Sequence, residues 1–440
     1  MVWREFPAME AACEVAVVGA GIAGLACARE LQRAGLSVRV FEREKTVGGR
    51  MASRTRDGLT FDCGANFLVR AYATVFAMAE EQGVPLRTVS PVEHAVYRDG
   101  RFHDLHLSSV RGQFRLDCLG LWSRFKALRF LVRLRRDLPL LDFFHLSDCH
   151  PRFNHRSADE LARSRVGRSF ADYLVDPFNA CMMFYRASEI SEAALLSLLR
   201  MMVDPGYDFG IYFARGEMQG LASELAQPLP VTTNTAVLRL RAAEGGWEVQ
   251  TSNESLWVRR VVLATTAPAA LHLLPPQAPQ RKLLEKVRYS STVNVSFRLP
   301  PEVLGRTHCW YVPAVEGSMI CEFTNESLKG YPLVSVGLHE VAARSLLGES
   351  DRTVFQVVGR ELLDLLPDLK ADQLGFHDLQ RWPEAIPKYD CDHIARVAEF
   401  ERGWQGHGGL FFCGDYLNAP WLEGAARSGQ RAARLLLQRR

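Results

Sequence analysis

The chain has 440 residues, of which 48% are hydrophobic and 23% charged, with a formal net charge of +3. That length calls for two or three domains, and so even a charge balance offers no case for nucleic acid as a partner. No apolar run reaches the roughly 18 residues that span a bilayer, and Met1 to Ala12 lack the apolar stretch of a signal peptide. The ten cysteines are scattered with no CxxC pair, which points away from a metal site or a disulfide framework and toward a reducing cytoplasm.

Glu14 to Val18 is a short apolar run of the kind that makes a buried parallel strand. Gly19 to Gly24 form a turn, and Leu25 to Ala34 carry a helical pattern that stops at Gly35. Val38 to Phe41 read as a second strand, closed by Glu42. This βαβ opening sets the fold class as α/β. From about Ala71 to Met202 the pattern is mostly helical, with loops rich in Arg and His. Gly210 to Leu263 turns to strands, alternating from Val231 to Val262 with Gly245-Gly246 as a hairpin turn. A mixed stretch follows from Pro268 to Ala395. The end returns to the opening pattern, with strand Leu410 to Cys413, then Gly414-Asp415, then a helix from Glu423 to Leu437. There is no internal repeat and no low-complexity linker. The expected organisation is a Rossmann-like dinucleotide-binding domain from 1–75, 205–270 and 396–440. An α+β substrate domain from 76–204 and 271–395 is interleaved with it, with 110–204 its mainly helical part.

The spacing Gly19-x-Gly21-x-x-Gly24 follows a strand and opens a helix through Ile22 and Ala23. Gly19 permits the tight turn, Gly21 lets backbone approach a pyrophosphate, and Gly24 lets helix and strand pack closely. The helix N-terminus offers free N–H groups to the phosphates. Glu42 lies at the end of the second strand, where a carboxylate accepts hydrogen bonds from ribose hydroxyls and repels a 2′-phosphate. Arg43 beside it weakens that exclusion slightly. The turn and the acid together favour FAD or NAD over NADP.

Further residues separate FAD from NAD. Gly48-Gly49-Arg50-Met51 comes shortly after the acid, followed by Leu59-Thr60-Phe61-Asp62-Cys63-Gly64-Ala65-Asn66-Phe67. This resembles the glutathione-reductase-type flavoproteins of the amine oxidase superfamily. The resemblance implies that Gly49, Arg50 and Met51 reach the FAD phosphates and ribityl chain, and that Gly64, Ala65, Asn66 and Phe67 pass beside the isoalloxazine. An arginine suits a buried diphosphate. The far end, Leu410-Phe411-Phe412-Cys413-Gly414-Asp415-Tyr416 and Trp421-Leu422-Glu423-Gly424-Ala425-Ala426-Arg427-Ser428-Gly429, resembles the C-terminal flavin motif of the same superfamily. By that resemblance Gly414 and Asp415 contact pyrophosphate and ribityl hydroxyls. Leu422, Glu423 and Ala425 open a helix whose N-terminus favours negative charge at the flavin N1/C2=O edge.

Other stretches point to branches of that superfamily. Gly216-Glu217-Met218-Gln219-Gly220-Leu221 followed by Val231 to Val237 is similar to the G-G-M-x-x-L segment of protoporphyrinogen oxidases and polyene desaturases, with Glu217 in place of the second glycine. In that family the residue near Val237 holds the adenine through its backbone. Arg381-Trp382-Pro383-Glu384-Ala385-Ile386-Pro387-Lys388-Tyr389 resembles a protoporphyrinogen oxidase stretch that usually continues with Gly-His, where this chain has Asp392-His393. Both ends also resemble renalase-type flavoproteins and squalene or phytoene desaturases. Amine oxidases place a lysine on a central strand near the flavin N5, and the comparable Ser290 to Phe297 contains none. Trp382 and Trp421 are the candidate aromatic walls of the substrate pocket. Cys391 follows Trp382 by nine residues, the spacing of the flavin-linked cysteine in monoamine oxidases, and is a weak candidate for covalent attachment.

Leu119 to Phe144 combines Leu121, Trp122, Phe125, Leu128, Leu131 and Val132 with Arg124, Lys126, Arg129, Arg133, Arg135 and Arg136. The spacing 121, 125, 128, 132 gives one apolar face. The plain expectation is a substrate-domain helix with that face inward and a solvated basic face. The sharper one is a helix that lies on a membrane surface or meets a partner through 119–144. His103, His106, His145, His150 and His155 have no metal-ligand spacing, and no metal is expected.

The expectation that follows is an FAD-dependent oxidase or dehydrogenase that takes a hydride from a C–C or C–N bond of a small, largely apolar molecule. With no second glycine fingerprint for a nicotinamide, O2 or a quinone-like acceptor reoxidises it. The missing lysine ranks dehydrogenation above amine oxidation proper. A redox-neutral flavoenzyme of mutase or cyclase type and a non-catalytic flavin-binding partner are the alternatives. No residue stands out as a general base. The expected location is cytoplasmic, with peripheral membrane contact as an addition.

Overall fold

The computed structural model describes residues 12–90, 92–106, 116–202, 210–214 and 217–439. The N-terminal residues 1–11, read above for a signal peptide, and Gly216 of the Gly216–Leu221 stretch lie outside them. Two seven-stranded sheets organise the chain.

The first sheet starts from the apolar Cys13–Val18 strand, which pairs in parallel with Val38–Phe41 on one side and Ser255–Leu263 on the other. Val38–Phe41 continues in parallel to Val231–Thr232, and Leu410–Phe412 runs parallel beside Ser255–Leu263. The meander Val237–Ala243, Gly246–Thr251 and Ser255–Leu263 supplies the antiparallel edge. Its hairpin turn falls at Glu244-Gly245, one residue before the expected pair. The sheet therefore draws strands from the beginning, the middle and the end of the chain. Helices Ile22–Arg33 and Trp421–Gln438 pack on it, and they approach closely because Gly429 has no side chain. A Cβ there would lie 2.1 Å from the Ala23 carbonyl oxygen.

The second sheet runs Gly375–Trp382, Thr292–Arg298, Leu333–Leu338, Ile320–Asn325, Thr307–Tyr311, Glu93–Arg98, Arg101–Leu105. The sequence reading took 71–202 as mostly helical, and the structure departs from it at three strands, the last two of them in this sheet. Leu86–Val89, Glu93–Arg98 and Arg101–Leu105 are strands. The last two form a hairpin around Asp99-Gly100, both with positive φ (52° and 80°), the backbone that an Asp-Gly turn adopts. This edge hairpin is recruited across more than two hundred residues, by parallel pairing of Glu93–Arg98 with Thr307–Tyr311.

One face of this sheet is an ordinary apolar core. Val293, Val295, Phe297, Phe323, Val334 and Val336 pack with Val354, Val358 and Leu362 of helix Asp351–Leu365. The other face is polar and yet buried: Thr292, Ser296, Ser335, Glu322 and Thr324 are all under 10% exposed. Helix Asp176–Met183 covers that face, with the Cys181 and Cys309 sulfurs 3.9 Å apart across the junction. All ten cysteines are free thiols.

Helix Leu121–Leu134 departs from the plain expectation in a second way. Its inner residues are Ala127 and Leu134, with Phe130 and Leu131 packed beside them. The face at Leu121, Phe125, Leu128 and Val132 points outward. The helix has two apolar faces, and spacing alone gives no direction. Among the described residues, no helix is long and apolar enough to cross a membrane.

Candidate functional site

The glycine turn sits at the C-terminal end of the Cys13–Val18 strand. Gly19 has φ 102°, and a Cβ there would meet the Ala264 carbonyl oxygen at 2.8 Å. A Cβ at Gly24 would lie 2.0 Å from the Gly19 carbonyl oxygen, so those two glycines are required by packing. At Gly21 the nearest protein atom to a Cβ is the Gly48 carbonyl oxygen at 3.9 Å. Packing does not require a glycine there, whereas close approach of a diphosphate to the backbone does. Gly21 is the N-cap of helix Ile22–Arg33, and no side chain caps that helix. Its first N–H groups, including those of Ile22 and Ala23, are thus available to an anion.

Glu42 is buried. Its carboxylate accepts from the Ala20 N–H at 2.8 Å and from the Glu44 N–H at 3.0 Å. A carboxylate has about four acceptor positions, so this anchoring fixes the group and leaves capacity for hydroxyls. Arg43 is exposed and paired with Glu44. The Thr235 N–H bonds the Glu42 carbonyl at 2.8 Å, which brings the start of the Val237–Ala243 strand, and Val237 itself, to this end of the sheet.

Gly48 and Gly49 take positive φ (113° and 57°), and the Gly48 N–H donates to the Ala20 carbonyl at 2.9 Å. The loop is therefore docked on the glycine turn, with Met51 fully buried beneath it. Arg50 then reaches across to the other end of the chain. Its two Nη atoms bond the Asp415 carboxylate at 2.6 and 2.8 Å, and Nη1 also bonds the Ala385 carbonyl at 2.7 Å. Burial works against the Arg50 charge, and the Asp415 carboxylate more than offsets it, so the guanidinium is held above its ordinary pKa. The Arg50 carbonyl accepts from the Ala65 N–H at 2.9 Å, and a Cβ at Gly64 would lie 2.3 Å from that same carbonyl oxygen.

Asp415 is itself fixed. Its Oδ1 accepts from the Tyr416 N–H at 3.1 Å, and its carbonyl accepts from the Tyr389 hydroxyl at 3.0 Å. Gly414, with φ 155°, donates to Ser428 Oγ at 3.1 Å. Helix Trp421–Gln438 follows, and no side chain caps its N-terminus either. Glu423 is fully buried and caps a different helix: it accepts from the Thr74 and Val75 N–H groups at 2.9 and 3.0 Å, with Arg427 Nε at 2.7 Å. Leu422 and Ala425 are buried beside it. The structure thus brings residues 19–24, 42–51, 64–67 and 414–425 into one connected region.

The two tryptophans are held by different backbone partners. Trp382 Nε1 donates to the Cys63 carbonyl at 2.7 Å and lies against Gly64. Trp421 Nε1 donates to the Met182 carbonyl at 3.3 Å, and its ring packs with Phe143 and Tyr72. Among the described residues the two rings share no stacking contact. Cys391 lies at the start of helix Cys391–Gly403, with its thiol directed to the Arg156 carbonyl at 3.4 Å.

Sequence reasoning missed a group of residues on the polar face of the second sheet. Lys329, almost fully buried, donates to the Asn66 carbonyl at 2.8 Å and pairs with Glu326 at 2.8 Å. Asn66 Nδ2 contacts Glu326 at 3.4 Å, and Phe67 meets His308 edge to face at 5.8 Å. The segment 64–67 is therefore clasped from the sheet side. Burial, with the Glu326 charge second, pushes the Glu322 carboxyl up to about 8. Burial likewise pulls His94 down to about 4 and His308 well below its ordinary value. Thr292 Oγ1, His308 Nδ1 and Glu322 Oε2 are buried with no hydrogen-bond partner among the described residues. The signal that could have exposed Glu322 is local alternation in Ile320–Asn325, where the polar Glu322 and Thr324 flank the apolar Phe323.

Residues 22–437 match the family model described as flavin containing amine oxidoreductase. Protoporphyrinogen oxidase 2 of Arabidopsis thaliana is 31% identical over 169 residues, 37% of this chain and 31% of that protein. The 4,4'-diapolycopene oxygenase of Methylomonas sp. is 27% identical over 230 residues, 48% of this chain and 46% of that protein. The matched stretches thus span a third to a half of those relatives' length. In fold the chain is similar to wild-type putrescine oxidase bound to putrescine, with TM-score 0.76, 17% identity and coverage of 97% and 99% of the two chains. It is also similar to a fatty acid isomerase from P. acnes that produces CLA, with TM-score 0.74, 17% identity and coverage of 98% and 99%.

Proposed function

Because the chain belongs to the family of flavin-containing amine oxidoreductases and is an FAD-dependent oxidoreductase, we propose that it removes a hydride from a C–C or C–N bond of a small, largely apolar molecule. O2 or a quinone-like compound is the electron acceptor. The dinucleotide unit is 1–75, 205–270 and 396–440, and the substrate unit is 76–204 and 271–395. The observation that carries the reading is the junction between them. Segment 64–67 is fixed by the Arg50 backbone on one side and by Lys329, Glu326 and His308 on the other, under a buried sheet face.

Bound FAD supplies the hydride acceptor, and the chain supplies position and dryness. Gly21 and the uncapped helix Ile22–Arg33 receive the diphosphate, Glu42 the adenosine ribose, and Arg50 with Asp415 the middle of the dinucleotide. The uncapped N-terminus of helix Trp421–Gln438 offers a positive dipole end to the flavin. Trp382 and Trp421 wall the pocket, each with its indole N–H already bonded to backbone. The buried sheet face would form the floor of the pocket, where Thr292, His308 and Glu322 each keep a polar atom unpaired among the described residues. At neutral pH Glu322 is protonated and His308 neutral, so this floor carries little charge and suits an uncharged group. The strand Thr292–Arg298 bears no lysine, which favours dehydrogenation over amine oxidation proper. All ten thiols being free supports a reducing location.

The test is anaerobic mixing of the flavin-loaded protein with amines, porphyrinogens and polyenes. One apolar class should bleach the flavin, and readmitted O2 or an added quinone should restore its colour. Retention of colour with every class, with turnover appearing only after dithionite reduction, would overturn the reading in favour of a redox-neutral enzyme.

A further inference from the structure

Helix Leu121–Leu134 presents an outward apolar stripe. Among the described residues, eight large hydrophobic side chains are exposed, and five of them are on this helix: Leu121 (80%), Trp122 (68%), Phe125 (52%), Leu128 (38%) and Val132 (56%). At 100° per residue, Leu121, Phe125, Leu128 and Val132 fall within an arc of about 60°, and Trp122 lies about 60° beyond its edge, its ring joined to the stripe through Phe125. Helix and stripe extend about 20 Å. Trp122 and Phe125 stack at 5.6 Å, so they form one continuous apolar ridge. Five exposed apolar side chains in one line are not scattered surface residues.

The charges flanking the ridge are of one sign. From Cys118 to Arg136 there is no Asp or Glu, while Arg124, Lys126, Arg129, Arg133, Arg135 and Arg136 are basic. On the helical wheel Arg129, Arg133 and Lys126 lie on one side of the ridge and Arg124 on the other. Arg124 pairs with Asp117. Lys126, Arg129, Arg133, Arg135 and Arg136 form no ion pair among the described residues, and Lys126 sits over the Trp122 ring at 5.7 Å.

We propose that this ridge docks the protein on an anionic lipid bilayer, with Leu121, Trp122, Phe125, Leu128 and Val132 in the acyl boundary and the flanking basic side chains on lipid phosphates. Three observations choose this occupant. The ridge is convex: a side chain 80% exposed needs a shaped pocket in a protein partner, whereas acyl chains conform to it. Apolar residues flanked by basic ones match an interface whose interior is apolar and whose surface is negative. A second copy of this chain would bring the same unpaired cations face to face, which disfavours self-pairing. The inner face of the helix packs into the core that also holds Cys181, Met182 and Trp421. The docked helix is thus continuous with the walls of the proposed pocket, although docking holds whatever the substrate is.

The experiment uses the full-length, flavin-loaded protein sedimented with phosphatidylcholine vesicles, with and without phosphatidylserine. The protein should pellet with the anionic vesicles and be released by salt. The double substitution Trp122→Glu and Phe125→Glu should abolish pelleting. Arg129→Gln with Arg133→Gln should weaken it by about fivefold per charge, roughly 25-fold in all. Val341→Glu, at an 85% exposed apolar site elsewhere, is the control and should bind like the unaltered chain. Flavin content reports folding for each variant. Failure of the unaltered chain to pellet would overturn the proposal, as would equal pelleting of the Trp122/Phe125 variant. Concentration-dependent self-association that the same variant abolishes, without vesicle binding, would overturn it in favour of a second copy as occupant.

Discussion

Two glycines of the same turn should fail in different ways when each gains a single methyl group. At Gly24 the added Cβ would stand 2.0 Å from the Gly19 carbonyl oxygen and 3.1 Å from the Ala264 Cβ. Ordinary contact begins at 3.4 Å, so the helix must retreat by about 1.4 Å from the strand. Overpacking of that size costs about 1–3 kcal/mol, offset in part by the helix preference of alanine over glycine, about 1 kcal/mol. Gly24→Ala should therefore lower the stability of the flavin-free protein by up to about 2 kcal/mol and, through the displaced helix, weaken FAD. At Gly21 the same methyl group meets nothing in the chain within 3.9 Å, and the residue already has φ −72°. Gly21→Ala should leave flavin-free stability within about 1 kcal/mol, the scale of an N-cap change. Its FAD affinity should fall about tenfold or more, the equivalent of 1.4 kcal/mol. Thermal unfolding of stripped protein and fluorescence titration with FAD measure the two quantities separately. Indistinguishable variants, or a Gly21→Ala protein that binds FAD as the unaltered chain does, would refute the assignment of Gly21 to the diphosphate.

Glu322 holds a proton in the folded state up to about pH 8, far above the ordinary carboxylate range, because it is buried. A carboxyl whose folded pKa is raised stabilises the fold at low pH and loses that contribution as pH rises from its unfolded value toward 8, at up to roughly 1.4 kcal/mol per unit. Glu322→Gln should flatten the stability profile between pH 5 and 8, and chemical denaturation at both ends of that window checks it; an unchanged slope would show that Glu322 is not the group. Cys391 points its thiol at the Arg156 carbonyl, so unfolding in acid should release all of the flavin, with or without Cys391→Ala; yellow protein after denaturation would contradict this. Glu423→Ala leaves the part-buried Thr74 and buried Val75 N–H groups unpaired and should cost about 2–6 kcal/mol, at 1–3 kcal/mol per orphaned donor, measured by urea unfolding.

What the sequence disclosed and what it concealed divide by distance along the chain. The glycine turn, the strands on either side of it and the closing helix are local patterns, and they fold as read, with Cys13–Val18, Val38–Phe41 and Trp421–Gln438 each within a few residues of expectation. The Asp99-Gly100 hairpin carried a local signal too, but a flanking helical pattern outweighed it, and its place in the sheet depends on a partner strand at 307–311. Lys329, Glu326, His308 and Glu322 come from a turn and two strands, and only the folded sheet shows that the first three meet segment 64–67 while Glu322 lies buried on the same sheet. The direction of helix Leu121–Leu134 was equally unreadable, because residues 127, 130, 131 and 134 make a second apolar face that competes for the core. Gly429 looked like an ordinary small residue until its contact with Ala23 showed why a side chain is excluded.

The central claim is that one flavin site is assembled from both ends of the chain through Arg50 and Asp415. The most direct measurement is the FAD dissociation constant of Arg50→Met, Asp415→Asn and the double variant, as a double-mutant cycle. Groups in contact couple by about 0.5–3 kcal/mol, and this bidentate pair has one partner only 4% exposed. Each single change should weaken FAD about tenfold or more, and the double variant should bind no worse than the weaker single, because the second change removes a pair already broken. Losses that multiply, or singles that bind FAD as the unaltered chain does, would mean that the two ends act independently and would contradict the account.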